Sequence, residues 1–368
     1  MANQTIYPYG VSAGAPTGLD IVNNLTSGGV DKALSAEQGK ELGLRTQVRN
    51  YAQQDMLRQT AFKHPGSTWY GTGWGQVVNL LHFSDIHGDF INLPRLIDFA
   101  STFPDLDAIL FTGDMVNNQW SDGIAFWENT QGAEDILVAV GNHDCAGKTA
   151  AECYGRYISP FVSNWGVTSQ ADLCYYYKDW ATMKVRLIVL DCMHWDATQA
   201  SWLATTLASA KTAGYHVVVA NHYAPASSPT GIKSCSFDTL GSNDAQWDNI
   251  NSAAPSAVQD FIDGGGKFVC WLCGHTHADM FRHPTSYPHQ LYVAVANAST
   301  PTHAGGPATC QLVRESGTLA EDLFNLVSIN TDKEMLTITR VGADHDTLGR
   351  HIGTVVYDYA ENEIIWND

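Results

Sequence analysis

The sequence predicts an α/β fold, and two observations carry this prediction. First, six short, near-continuous apolar runs alternate with longer polar or helix-like stretches: VVNLLHF, AILFTG, ILVAVG, VRLIVLD, HVVVAN and FVCWLCG. Runs of this kind are typical of strands that are covered on both faces, as in a sheet flanked by helices. Second, the tail from Phe324 to Trp366 contains hairpin-like strands separated by turn residues: FNLVSIN, EMLTITRVG, IGTVVYDY and EIIW.

The N-terminal part of the chain has a different composition. Residues 1–30 are rich in Gly, Asn, Thr and Ser and predict a loop or an extended arm. From Asp31 to Ala61 there is no proline, and an amphipathic helix capped by Asp31 or Ser35 is predicted. Its apolar side chains recur at helical spacing: Leu44, Val48, Tyr51 or Ala52, and Met56.

A turn-rich stretch, HPGSTWYGTGWG, follows the predicted helix and indicates a domain boundary. We therefore expect residues 1–70 to form an arm and helix, and residues 71–368 to form the main domain with its C-terminal hairpins. A polar helix with a narrow apolar seam needs a partner surface, either the main domain or a second copy of the chain.

The net charge of the chain and its lack of targeting signals limit the partners and locations that are expected. Acidic residues outnumber basic ones by 38 to 20, and the net charge of -18 makes nucleic acid an unfavourable partner. The start has no basic segment followed by an apolar one, and no run of eighteen apolar residues follows, so neither Sec export nor a membrane span is expected.

The eight cysteines do not predict a disulfide framework, because the chain is large and has no export signal. Cys270 and Cys273 form a CxxC within an apolar run from Lys267 to Cys273. On a strand, three-residue spacing places the two side chains on opposite faces. We therefore expect buried thiols at these positions rather than a redox or zinc site.

Five polar signatures follow the predicted strands, at the edge where ligand sites of open α/β sheets lie. They are Asp85-Ile86-His87, Gly113-Asp114, Gly141-Asn142-His143-Asp144, Asn221-His222 and Gly274-His275-Thr276-His277. The two-residue spacing within the first and last signatures puts both side chains on one face of an extended backbone. The glycines that precede Asp114, Asn142 and His275 allow backbone angles that are closed to other residues.

The donor set of these signatures predicts two metal ions. It comprises two carboxylates, one amide and four imidazoles, which suits manganese, iron or zinc rather than calcium. Seven ligands exceed the needs of one tetrahedral zinc, so we expect two ions that share a bridging carboxylate. Two divalent ions, two aspartates and a hydroxide leave a local charge of about +1, which attracts a phosphate to an otherwise acidic protein.

In order and spacing, the five signatures resemble the motifs of the calcineurin-like metallophosphoesterases, and the resemblance extends from about Val77 to Gly342. It implies a four-layer α-β-β-α sandwich and hydrolysis of a phosphate ester by a hydroxide that two divalent metal ions activate. It also implies how the ligands are divided: Asp85, His87 and His277 at one metal, Asn142, His222 and His275 at the other, and Asp114 as the bridge.

The same resemblance implies the catalytic residues. His143 would protonate the leaving oxygen, and Asp144 would orient His143 or cap a helix. In the purple acid phosphatases a tyrosine stands three residues after the GD aspartate, whereas this chain has Asn117, so the tyrosinate-to-iron bond of that subfamily is not expected. Candidates for the cleft walls are Trp120, His194, Trp195, Tyr223 and His303, and Cys145 is expected to be a spectator.

The segment DKALSAEQGKELG resembles a short sequence of bacteriophage and prophage tail-fibre proteins. It implies an appendage enzyme on a virion, whereas the lack of an export signal leaves the cytoplasm as the other expected location. The ester that is hydrolysed is expected to be a phosphomonoester or a phosphodiester. Two alternatives stay open: a non-catalytic appendage or adhesin scaffold, against which the complete ligand set argues, and a nuclease, against which the acidic charge argues.

Overall fold

The fold was analysed in a computed structural model. It describes residues 20–22, 32–34, 77–90, 93–94, 97, 106–130, 135–162, 165–223, 253–277, 279–283, 287–295, 298, 312–315, 320, 323–345 and 353–367. Two seven-stranded sheets make up most of this described part.

The first large sheet, sheet 1, contains three parallel strands at one end and four antiparallel strands at the other. Its order is β16-β15-β14-β13-β3-β4-β5. The parallel strands are β3 (Val77–Phe83), β4 (Ala108–Phe111) and β5 (Ile136–Val138). The antiparallel strands are β13 (Leu323–Asn330), β14 (Met335–Gly342), β15 (Thr354–Asp358) and β16 (Glu363–Asn367).

The second large sheet, sheet 2, has the order β11-β12-β10-β9-β8-β7-β6. Its strands are β6 (Val167–Ser169), β7 (Tyr176–Trp180), β8 (Val185–Val189), β9 (His216–Ala220), β10 (Lys267–Cys273), β11 (Met280–Arg282) and β12 (Tyr292–Ala294). Strands β8, β9, β10 and β12 run parallel, so their carboxyl ends lie at one edge.

Helices cover the outer faces of both sheets. Sheet 1 is covered by α1 (Asp122–Asn129), whose Phe126 ring packs edge-on against Phe111 of β4 with centroids 5.2 Å apart. Sheet 2 is covered by α4 (Ala197–Ala213) and α5 (Ala253–Asp263). A continuous helical segment consists of α2 (Ala150–Cys153), a π-helical turn (Tyr154–Ile158) and α3 (Ser159–Val162).

Helix α4 illustrates how local sequence sets these elements. The Asp196 side chain accepts a hydrogen bond from the backbone of Gln199 and caps the start, and Gly214 ends the helix in the left-handed conformation. Leu203, Leu207 and Ala210 recur at helical spacing and are buried against sheet 2. Each buried leucine contributes about 1.5–3 kcal/mol to folding.

The structure confirms the predicted α-β-β-α sandwich, all six apolar runs as strands, and the four C-terminal hairpin strands. It also adds β6, β7, β11 and β12, which are short or alternate between buried and half-buried side chains. Cys270 faces the core between the sheets and Cys273 faces the helices, as their spacing predicts. No helix within the described ranges is long and apolar enough to cross a membrane.

One N-terminal expectation is wrong. Of the two predicted caps, Asp31 does not start a helix, because Lys32–Leu34 forms a strand, β2, that pairs in parallel with β1 (Asp20–Val22). A start at Ser35 stays a prediction. Backbone hydrogen bonds to a neighbouring strand replace those of a first helical turn. The remainder of the predicted helix lies outside the described residues.

Candidate metal centre

Seven predicted metal-ligand side chains lie together where the carboxyl ends of strands from both sheets meet. Asp85 and His87 follow β3, Asp114 follows β4, and Asn142 follows β5. His222 follows β9, and His275 and His277 follow β10. Each sheet therefore supplies parallel strands whose following loops converge on one point.

The donor atoms of these side chains form two adjoining groups. In the first, Nε2 of His277 lies 2.8 Å from Nε2 of His87 and 3.3 Å from Oδ1 of Asp85. In the second, Nε2 of His222 lies 3.3 Å from Oδ2 of Asp114 and 3.0 Å from Oδ1 of Asn142.

His275 belongs to the second group, with a ligand atom within 4.8 Å of those of Asp114 and His222. Oδ2 of Asp114 is also 3.9 Å from Nε2 of His87 in the first group. Asp114 thus lies between the two groups.

Both aspartates use one oxygen to hold a neighbouring loop. Oδ2 of Asp85 accepts a hydrogen bond of 2.9 Å from the backbone N–H of His275, and Oδ1 of Asp114 accepts one of 2.8 Å from that of His143. Their other oxygens face the imidazoles. Each carboxylate therefore links two signatures and still presents one oxygen to the cluster.

The tautomer of His222 is fixed by a backbone carbonyl. Nδ1 of His222 lies 2.7 Å from the carbonyl oxygen of Thr112, which only accepts hydrogen bonds. Nδ1 must therefore carry the hydrogen, and Nε2 presents its lone pair to the cluster, an arrangement typical of metal-bound histidines. Sequence reasoning missed this role of Thr112, since a backbone carbonyl leaves no signal in residue type.

Left-handed backbone conformations present the site side chains, in place of the extended backbone expected from sequence. The φ angles are 56° at Asp85, 54° at His87, 52° at Asp114, 66° at His275 and 50° at His277. Residues other than glycine rarely adopt such angles, at a cost on the order of 1–3 kcal/mol each. The surrounding fold holds these strained angles where the donors converge. Backbone strain of this kind is typical of functional sites.

The glycines before these residues serve two different purposes. Gly113 has φ of +99°, so the prediction of a special backbone angle is confirmed there. Gly141 and Gly274 are needed instead because another loop comes close. A Cβ atom on Gly141 would lie 2.5 Å from the backbone nitrogen of Asp114, and one on Gly274 would lie 2.8 Å from Oδ2 of Asp85.

The electrostatics of the cluster favour added positive charge. Burial acts to lower the pKa of His222, but the charges of Asp114 and Asp85 and the bond to Thr112 outweigh it and raise this pKa to about 9. Burial likewise opposes protonation of His277, yet Asp85 raises its pKa. The two carboxylates therefore create a buried field that attracts cations.

Asp144 does not hold the His143 ring as expected. Its carboxylate accepts backbone N–H bonds from Asp114 at 2.8 Å, Gly141 at 2.8 Å and Val116 at 3.1 Å. Nδ1 of His143 is buried without a hydrogen-bond partner among the described residues. Asp144 thus joins the loops after β4 and β5.

His143 lies at the outer side of the cluster. Its side chain is 28% exposed, and Nε2 lies 3.8 Å from Oδ2 of Asp114. The His143 ring packs edge-on against His87 with centroids 4.7 Å apart. It is therefore both accessible from solvent and adjacent to both groups of donors.

The remaining predicted residues have varied surroundings. Tyr223 is buried beside the cluster, with its ring centroid 4.5 Å from that of His275. His194 pairs with Asp191 at 2.8 Å, Trp195 packs against the core of sheet 2, and Asn117 is exposed. His303 lies outside the described residues.

Cys145 is buried next to Cys153 and His194, and the hydrogen bond to Cys153 together with burial raises its thiol pKa. Both ring nitrogens of His194 are already engaged, by Asp191 and by the carbonyl oxygen of Lys148. His194 therefore has no ring nitrogen left for an ion, and we do not assign these three residues to a further metal site.

The main cluster has the properties of a site for divalent metal ions. All of its donor atoms are nitrogen or oxygen. Several of them lie so close together that their lone pairs repel one another. Oδ1 of Asp85 is buried without a hydrogen bond of good geometry among the described residues. A cation shared by these atoms satisfies both observations.

An α-β-β-α sandwich with such a cluster at the carboxyl ends of its strands defines the class of metal-dependent hydrolases. Residues 78–279 match the family model of the calcineurin-like phosphoesterases. The chain belongs to this family, which makes it a hydrolase of phosphate esters that depends on divalent metal ions.

A second family model, that of phage tail fiber repeats, matches residues 21–44. No curated protein matches the chain.

Several solved structures also match the chain, with TM-scores below 0.5. A dimetal phosphatase from Danio rerio is 10% identical, with a TM-score of 0.49, and the match covers 77% of this chain and 99% of the other. A predicted phosphoesterase from Streptococcus pneumoniae is 11% identical, with a TM-score of 0.35 and coverage of 76% and 97%. A Thermus thermophilus protein is 12% identical, with a TM-score of 0.41 and coverage of 72% and 99%.

Proposed function

We propose that the chain hydrolyses a phosphate ester at a dinuclear metal centre. The observation that carries this proposal is the convergence of seven nitrogen and oxygen donors into two groups that share Asp114. Asp85, His87 and His277 would hold one ion, and Asn142, His222 and His275 the other, with Asp114 as the bridge. When bound, two such ions lower the pKa of water and neutralise phosphoryl oxygens.

The protein's own residues orient this chemistry. Asp85 and Asp114 fix the relative positions of four loops through their backbone hydrogen bonds, so the donors are organised before a metal binds. The carbonyl oxygen of Thr112 keeps Nε2 of His222 free to act as a ligand. Preorganisation of this kind reduces the free energy lost when ions and substrate bind.

His143 is proposed as the group that gives a proton to the leaving oxygen. Its exposed fraction and its position beside both donor groups support this role. Asp144 is proposed as a positioning residue that acts through the backbone of the loops bearing Asp114 and Asn142, rather than through the His143 ring.

Residues 1–70 are proposed to attach the phosphoesterase domain, residues 71–368, to a larger assembly or to a second copy of the chain. The match of residues 21–44 to phage tail fiber repeats supports this role. An appendage enzyme of this kind would act on a phosphate ester outside the cell that carries the gene for it.

Metal-dependent turnover tests the proposal. The full chain, stripped of metal and then given two equivalents of Mn²⁺ or Zn²⁺, should hydrolyse p-nitrophenyl phosphate or its bis ester, and activity should rise until two ions are bound per chain. If neither ester is hydrolysed at full loading, the chain is a scaffold instead. Saturation at one equivalent would overturn the dinuclear centre.

A further inference from the structure

A second concave site lies between α1 and the α2 and π-helical segment. Its volume is about 500 Å³, within the range of about 300–1,000 Å³ that small-molecule sites occupy. We call it the tryptophan pocket. Its lining includes Trp120, Ile124, Trp127, Glu128, Glu152 and Arg156. They come from the segment around α1 and from the α2 and π-helical segment.

The tryptophan pocket is tied to the same loops that carry the metal donors. Trp120 follows Asp114 by six residues, so their Cα atoms are at most about 22 Å apart. Nζ of Lys148, five residues after His143, lies 4.8 Å from the centroid of the Trp120 ring. A Cβ atom on Gly88 would lie 3.5 Å from Oδ2 of Asp122, so the start of α1 lies close to the loop that bears His87.

Two basic side chains lie at the Trp120 ring, and one of them, Lys148, also lies 3.8 Å from Oε1 of Glu152. Besides Lys148, the guanidinium carbon of Arg156 lies 4.8 Å from the centroid of the same ring. With 20 basic residues against 38 acidic ones, two cations at one tryptophan favour a ligand that carries negative charge nearby. A phosphate ester fits this requirement.

Three features of the tryptophan pocket indicate that it binds a ligand. Nη1 of Arg156 is buried without a hydrogen-bond partner among the described residues, although buried donors are usually paired. Arg156 also lies in a five-residue π-helical turn, and such turns occur frequently at functional sites. In addition, the wall contains Ile124, whose side chain is 54% exposed.

The chemistry of the walls matches a sugar ring. The apolar C–H face of a pyranose packs on an indole or on Ile124, its hydroxyl groups donate to the carboxylates of Glu128 and Glu152, and a ring oxygen accepts from Arg156. A polynucleotide fits less well, because the net charge of the chain repels its long run of phosphates. We propose that the tryptophan pocket binds a sugar ring esterified to the scissile phosphate, an inference that rests on the proposed phosphoesterase function.

Three diesters that share one leaving group test the proposal. Each joins p-nitrophenol through phosphate to a second alcohol: ethanol, the 6-hydroxyl of methyl glucoside, or the 5′-hydroxyl of thymidine. For the metal-loaded full chain we expect kcat/KM of the glucosyl diester to exceed that of the ethyl diester by on the order of tenfold or more. Hydrolysis of none of the three would instead contradict the proposed function itself.

Variants assign that preference to the pocket. Trp120→Ala and Ile124→Ser should reduce the ratio of kcat/KM for the glucosyl and ethyl diesters to about one to three. The matched control is Val313→Ser, since Val313 is the other large apolar side chain that is exposed among the described residues, at 49%, and this variant should keep the ratio.

Ile124→Ser removes an exposed side chain and keeps the test valid if Trp120→Ala does not fold. The proposal is overturned if the wild type shows no preference for the glucosyl diester, or if the preference survives in Ile124→Ser. A larger kcat/KM for the thymidine diester would replace the sugar with a nucleoside.

Discussion

At the scale of single residues, His143 is the group whose role kinetics separates most clearly. If it protonates the leaving oxygen, its loss should matter more for a poor leaving group than for p-nitrophenolate. We expect His143→Ala to reduce kcat for an alkyl phosphate ester by about 100-fold or more, and for p-nitrophenyl esters by much less. Metal content, measured by atomic emission, should stay at two ions per chain. Loss of metal would make His143 a ligand instead.

Asp144 is expected to act on stability as well as on turnover. Its carboxylate accepts three backbone N–H bonds in a buried position, and an asparagine offers only one acceptor oxygen. We expect Asp144→Asn to lower the free energy of unfolding by about 3 kcal/mol and to weaken metal binding. Urea unfolding of the metal-free protein measures the first effect. A fall in kcat with unchanged stability would instead favour the role of orienting His143.

His194 makes stability depend on pH in the alkaline range. Its two ring nitrogens face Asp191 at 2.8 Å and the carbonyl oxygen of Lys148 at 2.9 Å, so only the protonated ring satisfies both acceptors. The hydrogen bond to Asp191 raises the pKa of His194 to about 9, against the effect of burial. Because the folded pKa exceeds the ordinary value of about 6.5, this stabilisation is complete below about pH 6.5 and is lost as the pH rises through about 9.

We expect the loss to be about 1–2 kcal/mol for this partly exposed pair. Thermal unfolding between pH 6 and 10 measures this loss of stability. Comparison with His194→Asn subtracts the contribution of other groups that titrate in this range. The two pH profiles should converge at the alkaline end. Parallel profiles would contradict a protonated His194.

At the scale of elements, the site depends on how closely the loops after the strands approach one another. Gly141 lies against the backbone of Asp114, so Gly141→Ala should force the loops after β4 and β5 apart. We expect a loss of at least about 2 kcal/mol in stability together with loss of metal. The matched control is Gly155→Ala, since a Cβ atom there would meet nothing within 4 Å. Calorimetry with metal analysis checks both variants, and a fully loaded Gly141→Ala protein would contradict this account.

The elements also differ in how far sequence predicted them. Strands buried on both faces, such as β3 and β10, were predicted because their apolar runs have no other stable environment. Strand β7 was missed because its side chains alternate between buried and half-buried positions among polar residues. A helix that starts at Asp31 was one of two predicted alternatives, because composition describes local preference, whereas the pairing of Lys32–Leu34 with Asp20–Val22 depends on a second segment.

At the scale of the whole molecule, the division into an attachment segment and an enzyme is open to direct measurement. A chain that begins at residue 71 should keep kcat/KM for p-nitrophenyl esters within about twofold, because no proposed ligand lies before Asp85. Light scattering should show a smaller assembly for this chain than for the full chain if residues 1–70 mediate self-association. An inactive, unfolded product would mean that the N-terminal segment belongs to the phosphoesterase domain.

The sequence by itself determined the chemistry of this protein. The residue types of five signatures define a nitrogen and oxygen donor set, and their positions after apolar runs place that set at one edge of the sheets. These properties are local, so they can be read from residue identity and from order along the chain.

Only the tertiary structure decided how the donors are arranged. The approach of two sheets brings His222 and His275 to Asp114, and the approach of two loops of sheet 1 turns Asp144 toward three backbone N–H groups instead of the His143 ring. The tryptophan pocket likewise joins Trp120 to Arg156 across 36 positions of sequence. Contacts of this kind depend on packing between distant segments, which local residue patterns do not encode.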